Sequence, residues 1–347
     1  MGSKARVLHI AKWYPHPGDP QNGSFVKNQI DAAGVDDRTI AFVNAHFSPI
    51  TTENSVVYGA AKMNWSTKLG IFISELSQQT FDIVHFHCFT PDLLPMLWYA
   101  KSKGLKTAYT EHWSGYLKEN QVKLSFVKKR STLAFLSKID KVLAISPQLE
   151  QGLKYIQPSI DTEVVPNIIG EINQMKSDED GTSATKFVVV ADVVFEIKRQ
   201  DVILEVFKTL PRMQAELHFI GGGPDFDRLA AQAKYDTNVY LHGRKTHEEV
   251  LSMLPNYDVH VLFSAYETFG ITTLEARKAG LWSILRKKFG ASYLADNGCK
   301  YAETEEELAA EMGALLHAES PGRNDYAALG SEKIGNRIKE LYQELIS

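Results

Sequence analysis

Cysteine is nearly absent: Cys88 and Cys299 are the only two in 347 residues. Two thiols this far apart make neither a disulfide framework nor a metal site, and they fit a reducing compartment. Long apolar runs are missing too. No stretch is long and apolar enough to span a bilayer, and Met1 to Val7 leads straight into a strand-like segment without a signal-peptide core. A cytoplasmic location is therefore the expectation. Nor does one sign of charge dominate. The 38 Lys and Arg and 42 Asp and Glu residues leave a net charge of −4 with both signs mixed throughout. Phosphate-backbone affinity needs a concentrated basic face, so nucleic acid is not an expected partner. Glycines do follow a strand at Ile220-Gly-Gly-Gly-Pro-Asp225. Their spacing is not Gly-x-Gly-x-x-Gly and the run begins neither domain, which argues against a dinucleotide-dependent dehydrogenase.

What is present is alternation. Short β-rich runs at 6–12, 38–44, 82–87, 106–110, 141–146 and 162–165 are separated by helical patterns at 25–33, 65–78, 93–103, 124–138 and 147–155. That order is the signature of parallel sheets covered by helices. Residues 171–185 are polar, aperiodic and rich in small side chains, a linker and hinge candidate. A second series follows, with strands at 186–191, 215–220, 238–242, 259–264 and 282–286 and helices at 200–210, 226–234, 247–254, 271–279, 305–317 and 333–345. The expected fold class is α/β, with two tandem Rossmann-like, doubly wound parallel-sheet domains facing across a cleft. Their expected bounds are 1–170 and 186–325, with a C-terminal helix in 326–347 packing back toward the first domain.

The stretch Tyr266-Glu-Thr-Phe-Gly-Ile-Thr-Thr-Leu-Glu-Ala276 places a Phe-Gly turn between two carboxylates, directly after an apolar strand. Ligands of such sheets bind beyond the carboxyl ends of the strands. Gly270 permits a tight path, and the N–H groups of Phe269, Gly270, Ile271 and Thr272 converge at a helix N-terminus, where donors and dipole attract phosphate. Glu267 on the rim and Glu275 within the helix can accept hydrogen bonds from hydroxyls. Taken alone, two glutamates near a helix start are ordinary dipole complements and solvated surface. An anion site flanked by hydroxyl acceptors suits a nucleoside diphosphate joined to a sugar.

With its preceding strand, this motif resembles the hallmark of retaining nucleotide-sugar glycosyltransferases of the GT-B architecture (glycosyltransferase group 1). The resemblance runs along nearly the whole chain. It is carried by Asn22-Gly-Ser-Phe-Val-Lys-Asn-Gln29, Phe81-Asp-Ile-Val-His-Phe-His87, Thr110-Glu-His-Trp-Ser-Gly115, Asp140 to Ser146, Val164-Val-Pro-Asn-Ile168, Ile220 to Pro224 and Leu241-His-Gly-Arg244. It implies a first domain for the acceptor and a second for the donor. In its terms Glu267 orients a hexose, Glu275 holds the ribose, and the amides of Phe269 to Thr272 surround the diphosphate, with Thr268 also on the donor side. Lys198 neutralises the leaving diphosphate, where a fixed cation has most leverage. Arg199, Gly243 and Arg244 line the donor side, Gly23 and Ser24 approach the diphosphate, and His112 attends the donor sugar near its reacting carbon. Without the resemblance, Lys198 reads as a solvated lysine, Gly23 and Ser24 as a plain turn, and His9, His85 and His87 as structural histidines.

Two departures stand out. The resemblance puts an arginine five residues before the lysine, where this chain has Val193, with Arg199 or Arg244 as replacements. Many relatives carry a Gly-Gly-x-x-Glu loop where this chain has Phe289-Gly-Ala-Ser-Tyr293. No protein nucleophile stands among the motifs, and none of the quoted segments holds an Asp-x-Asp triplet, so no divalent metal is expected. The expected function is retaining hexosyl transfer from a UDP-sugar, preferred over GDP, to a glycan or lipid-linked acceptor in cell-surface polysaccharide synthesis. Two alternatives stay open: a nucleotide-sugar-binding protein without turnover, and a sugar-nucleotide epimerase on the same architecture. Finally, Lys118, Lys123, Lys128, Lys129 and Arg130 flank Leu124, Phe126, Val127 and Leu133. Such a run is usually a solvated face, and it also suits weak peripheral contact with the inner face of a membrane.

Overall fold

The computed structural model describes residues 4–172, 184–286, 294 and 296–347. The chain forms two compact units, Met1–Ile168 with Ala328–Ser347, and Ile169–Ala327.

The first unit contains β1 (Arg6–Ala11), α1 (Ser24–Ala33), β2 (Asp36–Val43), β3 (Ile50–Thr51), β4 (Ser55–Gly59), α2 (Trp65–Gln78), β5 (Ile83–His87), α3 (Leu94–Ser102), β6 (Lys106–Glu111), α4 (Phe126–Leu136), β7 (Lys141–Ala144), α5 (Pro147–Ile156) and β8 (Thr162–Val164). Its eight strands run β3-β4-β2-β1-β5-β6-β7-β8. Only β3 pairs antiparallel among the described strands. All five residues of β5 are buried, as a central parallel strand covered on both faces requires. Strands β3 and β4 fall outside the expected elements, being too short to show a period. Helix α4 starts at Phe126 because Ser125 accepts from the N–H of Lys128 and caps it, and residues 118–123 wind into a 3-10 turn before it.

The second unit contains β9 (Thr185–Val190), α6 (Phe195–Lys198), α7 (Gln200–Phe207), β10 (Ala215–Ile220), α8 (Phe226–Gln232), β11 (Val239–Leu241), α9 (His247–Met253), β12 (Val259–Leu262), α10 (Ile271–Ala279), β13 (Trp282–Arg286), β14 (Cys299–Ala302) and α11 (Glu305–Ala314). Its strands run β11-β10-β9-β12-β13-β14, every pair parallel. The last helix, α12 (Ser331–Ile346), returns to the first unit. There its Ile334, Ile338, Leu341 and Tyr342 share a core with Val7 of β1 and Ile83 of β5. Strand β14 and the one-turn helix α6 were not legible in the sequence. The Phe289 to Tyr293 departure and most of the 171–185 stretch lie outside the described residues.

Apart from the edge strand β3, both sheets are the mixed-order parallel sheets of Rossmann-like units, and in each the strand order reverses beside its first strand. β1 lies between β2 and β5, and β9 between β10 and β12. Within each unit, the loops at the reversal lie where an open α/β sheet binds ligands. The glycine run after β10 serves packing at the second reversal. A Cβ on Gly221 (φ 152°) would lie 1.9 Å from the Ala191 oxygen, and one on Gly223 (φ 141°) 2.6 Å from the Val193 oxygen. Backbone therefore meets backbone, and the Val193 N–H donates to the Gly222 oxygen at 2.6 Å.

Candidate functional site

In the second unit, the loops after β9 and β12 meet at the order reversal. The N–H of Ala265 donates to the Ile197 oxygen at 2.7 Å, which docks the turn α6 against the β12–α10 loop. That contact brings Lys198 Nζ to 2.5 Å from Glu267 Oε2, with both side chains mostly but not fully covered. Glu267 Oε1 accepts from the N–H of Thr268 at 3.2 Å. Phe269 is buried and anchors the loop, so Gly270 can take φ 76° as the residue preceding α10. Helix α10 has no side-chain cap and no acid in its first turn. Its first N–H groups, Ile271 and Thr272 among them, are left to an external acceptor, and its dipole is uncompensated there.

Glu275 is 1% exposed. Its Oε1 accepts from His247 Nε2 at 2.7 Å and from the Gly170 N–H at 3.2 Å. The hydrogen bond that His247 donates to Glu275 raises the His247 pKa against the opposing effect of burial. Both contacts fall on one oxygen, so Oε2 is the one that can serve a ligand.

The other expected cations divide. Val193 is 1% exposed within the apolar core, so no charge stands at its place. Arg244 reaches the adjacent residue, pairing with Asp192 at 2.9 Å, and so lies against the loop that carries Val193. Gly243 (φ 66°) makes the turn before it, its oxygen accepting from the Gly221 N–H at 2.9 Å. Arg199 instead lies 4.6 Å over the Phe263 ring and 3.5 Å from Glu305. Burial, and then the nearby Arg286, lower its pKa.

In the first unit, Gly23 (φ 65°) precedes α1 at Ser24. A Cβ at Gly23 would meet the Trp13 carbonyl carbon at 2.2 Å, so its own loop already demands glycine. The next residue, Phe25, holds its ring 4.7 Å from that of His112. His112 is 5% exposed, and neither ring nitrogen has a hydrogen-bond partner in the described structure. Burial, then His87, push its pKa well below the usual value, with Asn167 opposing, so the ring is neutral. Its loop is held by Glu111, whose Oε1 accepts from the N–H groups of His112 (2.7 Å) and Trp113 (2.8 Å) while Oε2 accepts from the Tyr109 hydroxyl.

His9, His85 and His87 place ligand-capable nitrogens within 4.8 Å of one another, the described group able to hold a metal ion. Most of those nitrogens are already engaged. His9 Nδ1 and His87 Nε2 are 3.1 Å apart, and His85 bonds the Tyr342 hydroxyl (2.6 Å) and Thr110 (2.7 Å). Asp-x-Asp triplets do occur in the sequence. Asp178-Glu179-Asp180 lies outside the described residues. Asp225-Phe226-Asp227 opens α8, where Asp225 accepts from the Phe195 N–H at 3.0 Å and pairs with Arg228 at 2.6 Å. His247 and Glu111 escaped the sequence reading. The capping box Thr246-x-x-Glu249 marks where α9 starts but not what His247 touches.

Comparison with known proteins fits this geometry. Residues 172–332 match the model described as glycosyl transferases group 1, and residues 53–170 that of glycosyltransferase family 4. The solved lipopolysaccharide outer core galactosyltransferase WaaB superposes with a TM-score of 0.71 at 16% identity, covering 98% of this chain and all of its own. Anabaena HepE, solved with UDP-glucose, gives 0.68 at 13% identity over 99% of this chain and 96% of its own. The chain belongs to the glycosyltransferases of the GT-B type. Among sequence relatives, the GPI3 subunit of phosphatidylinositol N-acetylglucosaminyltransferase from Saccharomyces cerevisiae is 28% identical over 201 residues, 53% of this chain and 43% of the relative. N-acetyl-alpha-D-glucosaminyl L-malate synthase from Bacillus anthracis is 25% identical over 236 residues, 60% of each. The chain thus spans about half the length of the curated relatives it matches.

Proposed function

We propose that the chain transfers a hexosyl unit from a UDP-sugar, with retention of configuration, to a hydroxyl of a glycan or lipid-linked acceptor in cell-surface polysaccharide synthesis. The observation that carries this reading is the Lys198–Glu267 pair beside the uncapped N-terminus of α10, at the reversal of strand order. The diphosphate lies against the amides of Phe269 to Thr272. Lys198 on one side and Arg244 on the other neutralise it, Arg244 standing in for the cation absent at Val193. Glu267 receives the hexose hydroxyls and Glu275 Oε2 the ribose. The bond from the anomeric carbon to the diphosphate oxygen breaks with its electron pair leaving on the phosphate. The acceptor oxygen then attacks the same face and gives its proton to that departing oxygen. No divalent metal takes part. The uridine donor is supported by the UDP-glucose held in HepE, and the hexosyl class by the names of the two relatives.

The buried Val193 favours one second reading, donor binding without turnover. Incubation with UDP-hexoses and lipid-linked acceptors in the presence of EDTA, followed by mass spectrometry, separates the two. Hexose on acceptor with free UDP is the expected result. Intact donor would leave binding alone, and isomerised donor would point to epimerisation.

A further inference from the structure

The first unit carries an apolar face that its own fold leaves uncovered. Val122 is 80% exposed, Phe126 and Val127 71% each, and Tyr155 65%. They come from three elements: the 3-10 turn at Lys118–Lys123, the first turn of α4 and the end of α5. With Leu133 and Ile156, several of them line an open groove of about 630 Å³. Isolated exposed apolar side chains are ordinary, but a contiguous group of large ones marks a contact surface.

The charge around this face names the partner. From Lys118 to Lys138 the sequence has six Lys and Arg residues (118, 123, 128, 129, 130 and 138) and one acid, Glu119, in a chain whose net charge is −4. Lys128 does not belong to the surface. Its Nζ turns inward to the Phe89 oxygen at 2.9 Å and to the rings of Phe89 and Trp113. Lys118, Lys129 and Arg130 border the groove, and none of its lining residues is acidic. Lys118 Nζ stands 5.5 Å over the Tyr155 ring and the Arg130 guanidinium 5.1 Å over Phe126. Cationic heads therefore rim apolar surface. Apolar side chains at the centre and cations at the edge match the boundary between acyl chains and anionic headgroups. A second copy of this chain fits less well, because a two-fold contact would set the same basic rim against itself.

We propose that this face docks the chain on an anionic lipid bilayer, inserting Val122, Phe126 and Val127 and setting Lys118, Lys129 and Arg130 against the headgroups. Such docking would bring a lipid-linked acceptor to the chain, but it does not depend on the donor reading.

Co-sedimentation of the full chain with phosphatidylglycerol–phosphatidylcholine vesicles and with pure phosphatidylcholine vesicles tests this directly. Binding to the anionic vesicles that weakens with salt is expected. Neutralising Lys118, Lys129 and Arg130 to Gln together should lower the partition constant about a hundredfold, at about fivefold per charge. Phe126→Ser with Val127→Ser removes only exposed side chains, so the fold should survive, and should lower it about tenfold or more. Equal sedimentation with both lipids, or an unchanged double Ser variant, overturns the proposal. So does a concentration-dependent dimer abolished by that variant with no vesicle binding, which would assign the face to a second copy. No donor enters the measurement, so its failure leaves the donor reading untouched.

Discussion

Lys198→Ala is expected to lower the turnover number for hexosyl transfer by about a hundred- to a thousandfold, the usual effect of removing one preorganised charge-stabilising group. The cation is held by geometry that needs no substrate. The turn α6 is pinned by the Ala265 to Ile197 bond, and Nζ is held at 2.5 Å by Glu267. Negative charge on the diphosphate grows as the glycosidic bond breaks, so the loss should fall mainly on the turnover number and less on KM. Lys198→Arg keeps the charge but not the compact ammonium and should recover only part of the rate. Steady-state kinetics with a fixed acceptor decide the matter. A Lys198→Ala enzyme within a factor of about three of wild type would remove this lysine from the chemistry.

The first unit should lose stability steeply in mild acid. His9, His85, His87 and His112 are all buried, and burial lowers the pKa of each below the usual 6.5, that of His87 to about 3. Neighbouring histidines lower His9, His85 and His112 further. The folded pKa values being depressed, these groups bind protons only on unfolding. Their contribution is complete above the unfolded pKa and declines as pH falls toward the folded values. Each histidine then costs about 1.4 kcal/mol per pH unit, so the four together cost about 5 kcal/mol per unit below pH 6. Asp37, raised by burial to about 6, and Glu111, also raised by burial, act in the opposite sense and soften the fall. His247 in the second unit also has the opposite sign. Its raised pKa gives stability that is present in acid and lost as pH rises through the folded value. Since a domain holds only about 5–15 kcal/mol in total, the first unit should be markedly less stable at pH 5 than at pH 7. Four of the five tryptophans, Trp13, Trp65, Trp98 and Trp113, report on it, so fluorescence-monitored urea melts at the two pH values are the check. Equal midpoints would contradict it.

The alternation of strands and helices was legible because β1, β5, β9 and β12 are short runs rich in apolar residues set between helical patterns. The short strands β3, β4 and β14 were not, since two to five residues give no period to read. At the candidate site, Glu267 and Gly270 could be read because both lie in the loop that follows β12 at the ligand edge, whereas Lys198 was named only through the resemblance. Partners brought in by other elements could not. His247 lies 28 residues before Glu275, and Arg244 meets Asp192 across separate loops. The glycine run after β10 carried a dinucleotide suggestion in one dimension, and in three it proves to be a close approach to Ala191 and Val193. The basic stretch after Leu117 was likewise ambiguous until Lys128 was seen to turn inward.

The central claim is that a nucleoside diphosphate binds at the start of α10 with Glu275 on its ribose. Calorimetric titration of the wild-type chain and of Glu275→Ala with UDP and with GDP, without added metal, tests it most directly. The prediction is UDP binding that weakens at least tenfold in the variant, with GDP weaker than UDP in the wild type. Absence of binding by either nucleotide, or UDP binding unchanged by Glu275→Ala, would contradict it.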